Sequence, residues 1–430
     1  MKKFLSSFGP VLSSMALVLL LTAISSAPLF AQHCGTARYD TEVFSSVTTL
    51  TNVTYGQNMN LNNASQTLTM NIYMPAGDVA AKRPVIIIAH GGSFIGGAKT
   101  DAEQVTLCTR FAKRGYVTAT IDYRLGMGFP INQPNAQKAV WRAMQDMKAA
   151  IRFFRKDAAT TNTYKVDPDY IFAGGYSAGA FMGVQCAYMD QPSEIPAAVD
   201  TTLLGGLEGN SGNSGYSSSI TGVINLAGAL GDTSWIKWGD EPMVTAQGDN
   251  DATVPYCTSM ISVSGFPIMV VSGGGTMRIR CFHLGIDNPM HTFYGQGHGG
   301  DIAASNMDST ITLVSNFLYS HLGCTPSANP DTYTNNQSCN PMATAIASSD
   351  VSAAQVSVYP NPSNGKFTVD GSAWNAKEVE IFNMLGEKVY SQALTGKPEE
   401  LNLNVINGMY FLKLTSADSK VMTTKLIVEK

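Results

Sequence analysis

Residues 169–180 read "DYIFAGGYSAGA" and set one serine, Ser177, between glycines directly behind an apolar run. At this glycine and serine content a Gly-x-Ser-x-Gly pattern arises by chance roughly 0.3 times per chain, so its meaning rests on context. The run from Tyr170 to Phe172 reads as a strand and "AFMGVQCAYM" (180–189) as a helix, which places Ser177 on a sharp strand-to-helix turn. Such a turn strains its central residue and needs small neighbours, which the glycines supply. The serine hydroxyl then stands at the C-terminal edge of a sheet, where a helix N-terminus favours developing negative charge.

Outward from this turn, "RPVIIIAHGG" (83–92) and "GYVTATIDYR" (115–124) are continuous apolar strands rich in β-branched residues. That is the pattern of strands covered on both faces in a mostly parallel sheet. The segment 136–159 places Val140, Met144, Met147, Ile151 and Phe154 on one helical face. "GVINLAGA" (222–229) and "EPMVTAQGD" (241–249) add further strands, so residues 32–323 read as an α/β sandwich with right-handed crossovers.

A change of composition divides the chain. Residues 324–354 are polar, rich in Pro, Asn and Ser and without hydrophobic period, and read as a linker. Beyond it, residues 355–430 alternate apolar and polar at period two between Asn/Gly turns, giving seven short strands and a small β-sandwich.

At the other end, Lys2 and Lys3 followed by an apolar segment from Met15 to Ile24 mark residues 1–31 as a secretory signal peptide, too short for a membrane span. The net charge of −4 and the lack of a basic run exclude a nucleic-acid or anionic-lipid binder, and no integral membrane segment is expected in the mature chain. Seven cysteines in an exported chain suggest disulfides. The expected pairs are Cys324 with Cys339, bracketing a polar loop, and Cys257 with Cys281, flanking one apolar strand pattern. Cys186 reads as a small buried hydrophobe. No Cys or His spacing matches a zinc site.

A serine acting as nucleophile also needs a base, an acid to orient it and donors for an oxyanion. "HGGSF" (90–94) ends the first long strand, and its glycines let the N–H groups of Gly91 and Gly92 approach a substrate oxygen beside that of Ala178. "TAQGDNDATVPY" (245–256) supplies Asp249 and Asp251 as candidate acids. Of the histidines beyond them, His298 in the glycine-rich loop "YGQGHGGD" is the preferred base and His291 the runner-up. His321 falls on a terminal helix and His283 within a strand-like "RIRCFHL". Trp235 and Trp238 follow a strand on the ligand-binding edge, where they are candidates for stacking on sugar or aryl groups.

On these residues, 84–322 resemble the α/β-hydrolase superfamily, and more narrowly its carboxylesterases with a His-Gly-Gly oxyanion motif. "DYRLG" and the stretch 146–179 look like bacterial feruloyl or acetyl esterases. The resemblance favours Asp251, whose "DATVP" is similar to the acid loop of many such enzymes, with Asp249 held in reserve. It implies ester hydrolysis through an acyl-enzyme on Ser177, Asp251 and His298, with no metal and no organic cofactor. Small-molecule or polysaccharide-linked esters are the expected substrates. A lipase or polyester depolymerase, a serine peptidase of the same fold and a secreted binding protein on an inactive hydrolase fold are the alternatives. Ser93 stands where these esterases commonly carry another glycine. "VYPNPSNGKFTV", "VEIFNMLGEKVYS" and "NGMYFLKLTS" resemble a type IX secretion sorting domain, which implies an immunoglobulin-like tail, at 355–430, recognised by outer-membrane export machinery.

Overall fold

The computed structural model describes residues 34, 37–326, 331, 339, 356–383, 388–418 and 421–430. The signal peptide expected at 1–31 lies outside them. The chain divides into two compact units between Cys339 and Asn340.

The first unit is built on strands β1 (Val47–Met59), β2 (Ser65–Pro75), β3 (Arg83–Ala89), β4 (Val117–Ile121), β5 (Val166–Tyr176), β6 (Gly222–Leu226), β7 (Ala229–Leu230), β8 (Met243–Gly248), β9 (Thr258–Val263), β10 (Phe266–Gly273) and β11 (Met290–Phe293). Eight of them form one sheet in the order β1-β2-β4-β3-β5-β6-β8-β11. Only β2 runs antiparallel to its neighbours β1 and β4; the pairs from β4 through β11 are parallel. Parallel neighbours need long crossovers. These carry helices α1 (Ala102–Lys113), α2 (Gln133–Ala159), α3 (Ala178–Tyr188), α4 (Gly274–Leu284) and α5 (Met307–His321).

Every residue of β3, β4, β6 and β8 is buried, because helices cover both faces of the sheet. In β3 the two-residue alternation is resolved by partner. Val85, Ile87 and Ala89 pack with Met147, Ile151 and Met182 from α2 and α3. Ile86 and Ile88 pack with Phe111, Val314 and Phe317 from α1 and α5. Truncating one such isoleucine to alanine costs about 2–5 kcal/mol. Helix α2 starts where Asn132 accepts a hydrogen bond from the backbone N–H of Asn135, with a proline in its first turn.

Two expectations fail in this unit. "RIRCFHL", with His283, is helical rather than extended: it lies in α4, where Met277 and Cys281 are buried four residues apart, and its alternation is a coincidence of a short window. The disulfides join Cys34 to Cys324 and Cys257 to Cys339, with Cα separations of 5.3 and 5.1 Å. Cys281 is a buried free thiol facing inward from α4, and burial also pushes the Cys108 and Cys186 thiols up to about 12. A partner is chosen by which Cα atoms meet in space, which loop spacing does not report.

The second unit holds seven strands, β12 (Ser357–Tyr359), β13 (Lys366–Asp370), β14 (Ala376–Phe382), β15 (Lys388–Ala393), β16 (Glu399–Asn402), β17 (Gly408–Ser416) and β18 (Val421–Val428). They form antiparallel sheets of order β12-β13-β16 and β15-β14-β17-β18. Alternate residues such as Phe367, Val369, Ile381, Leu412, Leu414 and Leu426 fill the core between them, as a β-sandwich requires.

Candidate active site

Ser177 sits between β5 and α3 at φ 52°, ψ −119°, a conformation that disfavours any side chain. Its flanking glycines are small for a measurable reason. A Cβ at Gly175 would lie 2.2 Å from the Ala89 carbonyl oxygen, and one at Gly179 would lie 2.1 Å from the same atom. The turn is therefore pressed against the end of β3 and held by the Ser177 N–H donating to the Leu226 carbonyl at 2.8 Å.

His298 reaches this serine from the loop between β11 and α5, with Nε2 3.0 Å from Ser177 Oγ. Its Nδ1 lies 2.8 Å from Asp251 Oδ2. Asp251 is anchored in turn: its Oδ1 accepts from the N–H groups of Thr253 and Val254, both at 2.9 Å. Two further residues hold this arrangement and were not anticipated. Gln247 Nε2 donates to the Val254 carbonyl at 2.9 Å and its Oε1 accepts from Gly274 N–H, tying the acid loop to α4. The Tyr176 ring lies against the His298 imidazole, centroids 5.1 Å apart. A long amide side chain on the mostly apolar strand "MVTAQG" was the available signal for Gln247.

The runners-up are placed elsewhere. Asp249 accepts from the Gly295 N–H at 2.6 Å as a turn residue. His291 packs on Phe293, and His321 bonds Asp287 at 3.0 Å.

Gly91 packs on the serine, so that a Cβ there would lie 3.2 Å from Ser177 Cβ. Gly92, Ser93 and Phe94 all have positive φ, which coils the loop tightly after β3. Ser93 thus takes the left-handed conformation usual for glycine. His90 shapes the loop from within. Burial lowers its basicity, its Nδ1–H donates to the Gly91 carbonyl at 2.7 Å, and its ring stacks on Tyr123. Ala178, first residue of α3, completes the trio of oxyanion candidates.

A cavity opens at Ser177, lined by Phe94, Phe181, Val254, Ile261 and Ile268 among others. The β9–β10 hairpin supplies one wall, a contribution the sequence reading missed. Trp235 lines an adjoining cavity, whereas Trp238 is 84% exposed. Among the described residues no cluster of three His, Cys, Asp or Glu side chains is arranged to hold a metal, and no helix is long and apolar enough to cross a membrane.

Residues 70–230 match the BD-FAE family, and residues 357–429 match the secretion system C-terminal sorting domain. The chain is similar to gut esterase 1 of Caenorhabditis elegans, with 34% identity over 114 residues, 26% of this chain and 19% of that protein. It is also similar to the ulvan lyase NLR42 of Nonlabens ulvanivorans, with 35% identity over 135 residues, 29% of this chain and 24% of that protein. The chain thus spans less than a quarter of the length of these curated relatives. Among solved structures, esterase 2 of Thermogutta terrifontis phosphonylated by cyclosarin aligns at 23% identity and a TM-score of 0.45, covering 63% of this chain and 93% of that one. With the parallel sheet, the serine turn and the two family matches in place, the first unit is an α/β-hydrolase domain of the BD-FAE type and the second a type IX secretion sorting domain, which directs the protein to the cell surface or the medium.

Proposed function

We propose that the protein is an exported serine carboxylesterase. The observation that carries this reading is the hydrogen-bonded line from Asp251 through His298 to Ser177 Oγ, set on a strained turn. In the proposed reaction His298 Nε2 takes the Ser177 proton as Oγ attacks the ester carbonyl. Asp251 holds the ring and stabilises the imidazolium, which returns the proton to the leaving alcohol. The N–H groups of Gly91, Gly92 and Ala178 receive the developing oxyanion, one such donor being worth about 3 kcal/mol. Water, activated by the same histidine, then hydrolyses the acyl-enzyme.

Acyl esters on polysaccharide, acetyl or feruloyl, are the substrate class we favour over lipid. An interfacial lipase carries an amphipathic lid, but residues 205–213 are strapped down by polar contacts. Glu208 pairs with Arg152 at 3.0 Å and Lys148 at 3.2 Å, and Gln145 donates to the Gly206 carbonyl at 3.0 Å. The test is hydrolysis of p-nitrophenyl acetate, butyrate and octanoate, methyl ferulate and acetylated xylan by the full chain beside Ser177→Ala. Loss of all turnover in the variant supports the assignment, and equal turnover defeats it.

A further inference from the structure

Three segments that wall the cavity at Ser177 also hold large apolar side chains out in water. Phe94 lines the cavity from the loop after β3, and its neighbour Ile95 is exposed. Met127 lines it from the loop after β4, and Phe129, two residues on, is 90% exposed. The β9–β10 hairpin does the same by strand alternation. The cross-strand pair Ile261 and Met269 lines the cavity, whereas the next pair, Met260 and Val270, is exposed, as is Phe266 beside the turn.

These segments are also free of charge. Residues 91–98, 125–137 and 252–277 hold no Asp, Glu, Lys, Arg or His, although charged residues make up 14% of the chain. Single exposed apolar residues are ordinary, but a group of them about one opening signals a binding surface. An uncharged surface has no electrostatic attraction for anionic lipid or for a polyanionic chain. Its occupant is therefore neutral and apolar. That occupant also brings esters to Ser177, because the five side chains stand beside the walls of the reactive cavity. A second copy seated there would stop the entrance of each.

We propose that Ile95, Phe129, Met260, Phe266 and Val270 form a collar by which the enzyme adsorbs to a water-insoluble, densely acylated, neutral polysaccharide. This rests on the esterase reading of Ser177 and goes beyond it by giving the physical state of the substrate. Acylation replaces sugar hydroxyls with ester-linked apolar groups, so a densely acylated chain loses its donors and presents an uncharged, apolar face. That face buries against the collar while an acyl group at the opening enters the cavity. Each ester hydrolysed takes up one water, releases the acid and restores a sugar hydroxyl. A cleared patch therefore loses its hold on the collar, and the enzyme passes to surface that is still acylated.

Adsorption is measured as depletion of full-chain Ser177→Ala protein from suspensions of cellulose acetate and of unmodified cellulose. Because this protein is read without turnover, the result is independent of the esterase reading. The partition coefficient should be roughly tenfold or more higher on the acetate, the change that burial of one aromatic side chain produces. Raising NaCl from about 0.05 to about 1 M should not lower it. Adding Phe129→Gln and Phe266→Gln should remove most of the preference; should that protein fail to fold, Met260→Ser with Val270→Ser tests the same collar. With Ser177 restored, the substitutions should slow acetate release from the solid by a similar factor and leave kcat/KM for p-nitrophenyl acetate unchanged. Equal adsorption to both solids, adsorption untouched by the substitutions, or adsorption lost in salt overturns the collar. So does tighter adsorption to polycaprolactone film, which would assign the surface to polyester, or a dimer that the substitutions dissolve, which would assign it to a second copy. If the native chain hydrolyses no ester, the esterase reading falls and depletion still decides the collar.

Discussion

His298 Nε2 lies 3.0 Å from Ser177 Oγ although the two residues stand 121 positions apart in the chain, and the opposite nitrogen of the same ring meets Asp251 at 2.8 Å. The aspartate therefore decides which nitrogen carries the proton. Asp251→Asn keeps the size and the two N–H contacts from Thr253 and Val254 but no longer selects the tautomer with Nε2 free to accept. The expected outcome is a fall in kcat on the order of 10⁴-fold, read by steady-state hydrolysis of p-nitrophenyl acetate with circular dichroism unchanged. Retention of a tenth of the activity would remove Asp251 from the mechanism.

Gly179 tests the packing of the turn rather than its chemistry. An added methyl would meet the Ala89 carbonyl 2.1 Å away, and backbone on both sides leaves nothing flexible to give. Gly179→Ala should destabilise the hydrolase unit by about 3 kcal/mol, measured as a lower urea midpoint. A variant as stable as the native chain would mean that the turn is looser than its geometry implies.

Much of this site was legible because its chemistry is written locally. Two glycines around Ser177, two directly after His90 and a pair beyond His298 are short-range signals, and strands buried on both faces announce themselves as unbroken apolar runs. What was missed depends on long-range contact. The strand β1 is polar and mostly exposed, so it carries no core pattern. Seven residues such as "RIRCFHL" fit period two as readily as 3.6, and only the burial of Met277 with Cys281 identifies the helix. Cysteine pairing and the β9–β10 wall follow from which loops meet, a property of the finished fold.

Asp301, three residues beyond His298, is fully buried with both carboxylate oxygens unpartnered, and burial, with Asp251 adding to it, pushes its carboxyl up to about 7. The sign follows from linkage. Between about pH 4 and 7 the unfolded chain releases this proton while the folded one retains it, so the stability present below pH 4 is lost as pH rises, by up to about 4 kcal/mol. Asp301→Asn should therefore gain stability over the native chain as pH increases from 5 to 7.5. Urea unfolding at both values checks this, and an identical difference between the two proteins at each pH contradicts it.

The Cys257–Cys339 bond closes a separation of 82 residues, and Cys34–Cys324 one of 290. Cross-links over such spans stabilise chiefly by restricting the unfolded chain. Replacing Cys257 and Cys339 together by serine should cost about 2–4 kcal/mol, seen as a lower Tm in calorimetry. An unchanged Tm would show that this bond contributes nothing to the folded state.

Those two bonds also have a meaning outside thermodynamics. Cys34 and Cys339 stand at opposite borders of the described hydrolase unit, and each is sewn to its body. Proteolysis usually begins by fraying at loose ends. Beyond the cell surface no chaperone refolds a catalyst and no ribosome replaces it on site, so an exported hydrolase lasts only as long as its borders stay shut against the proteases around it.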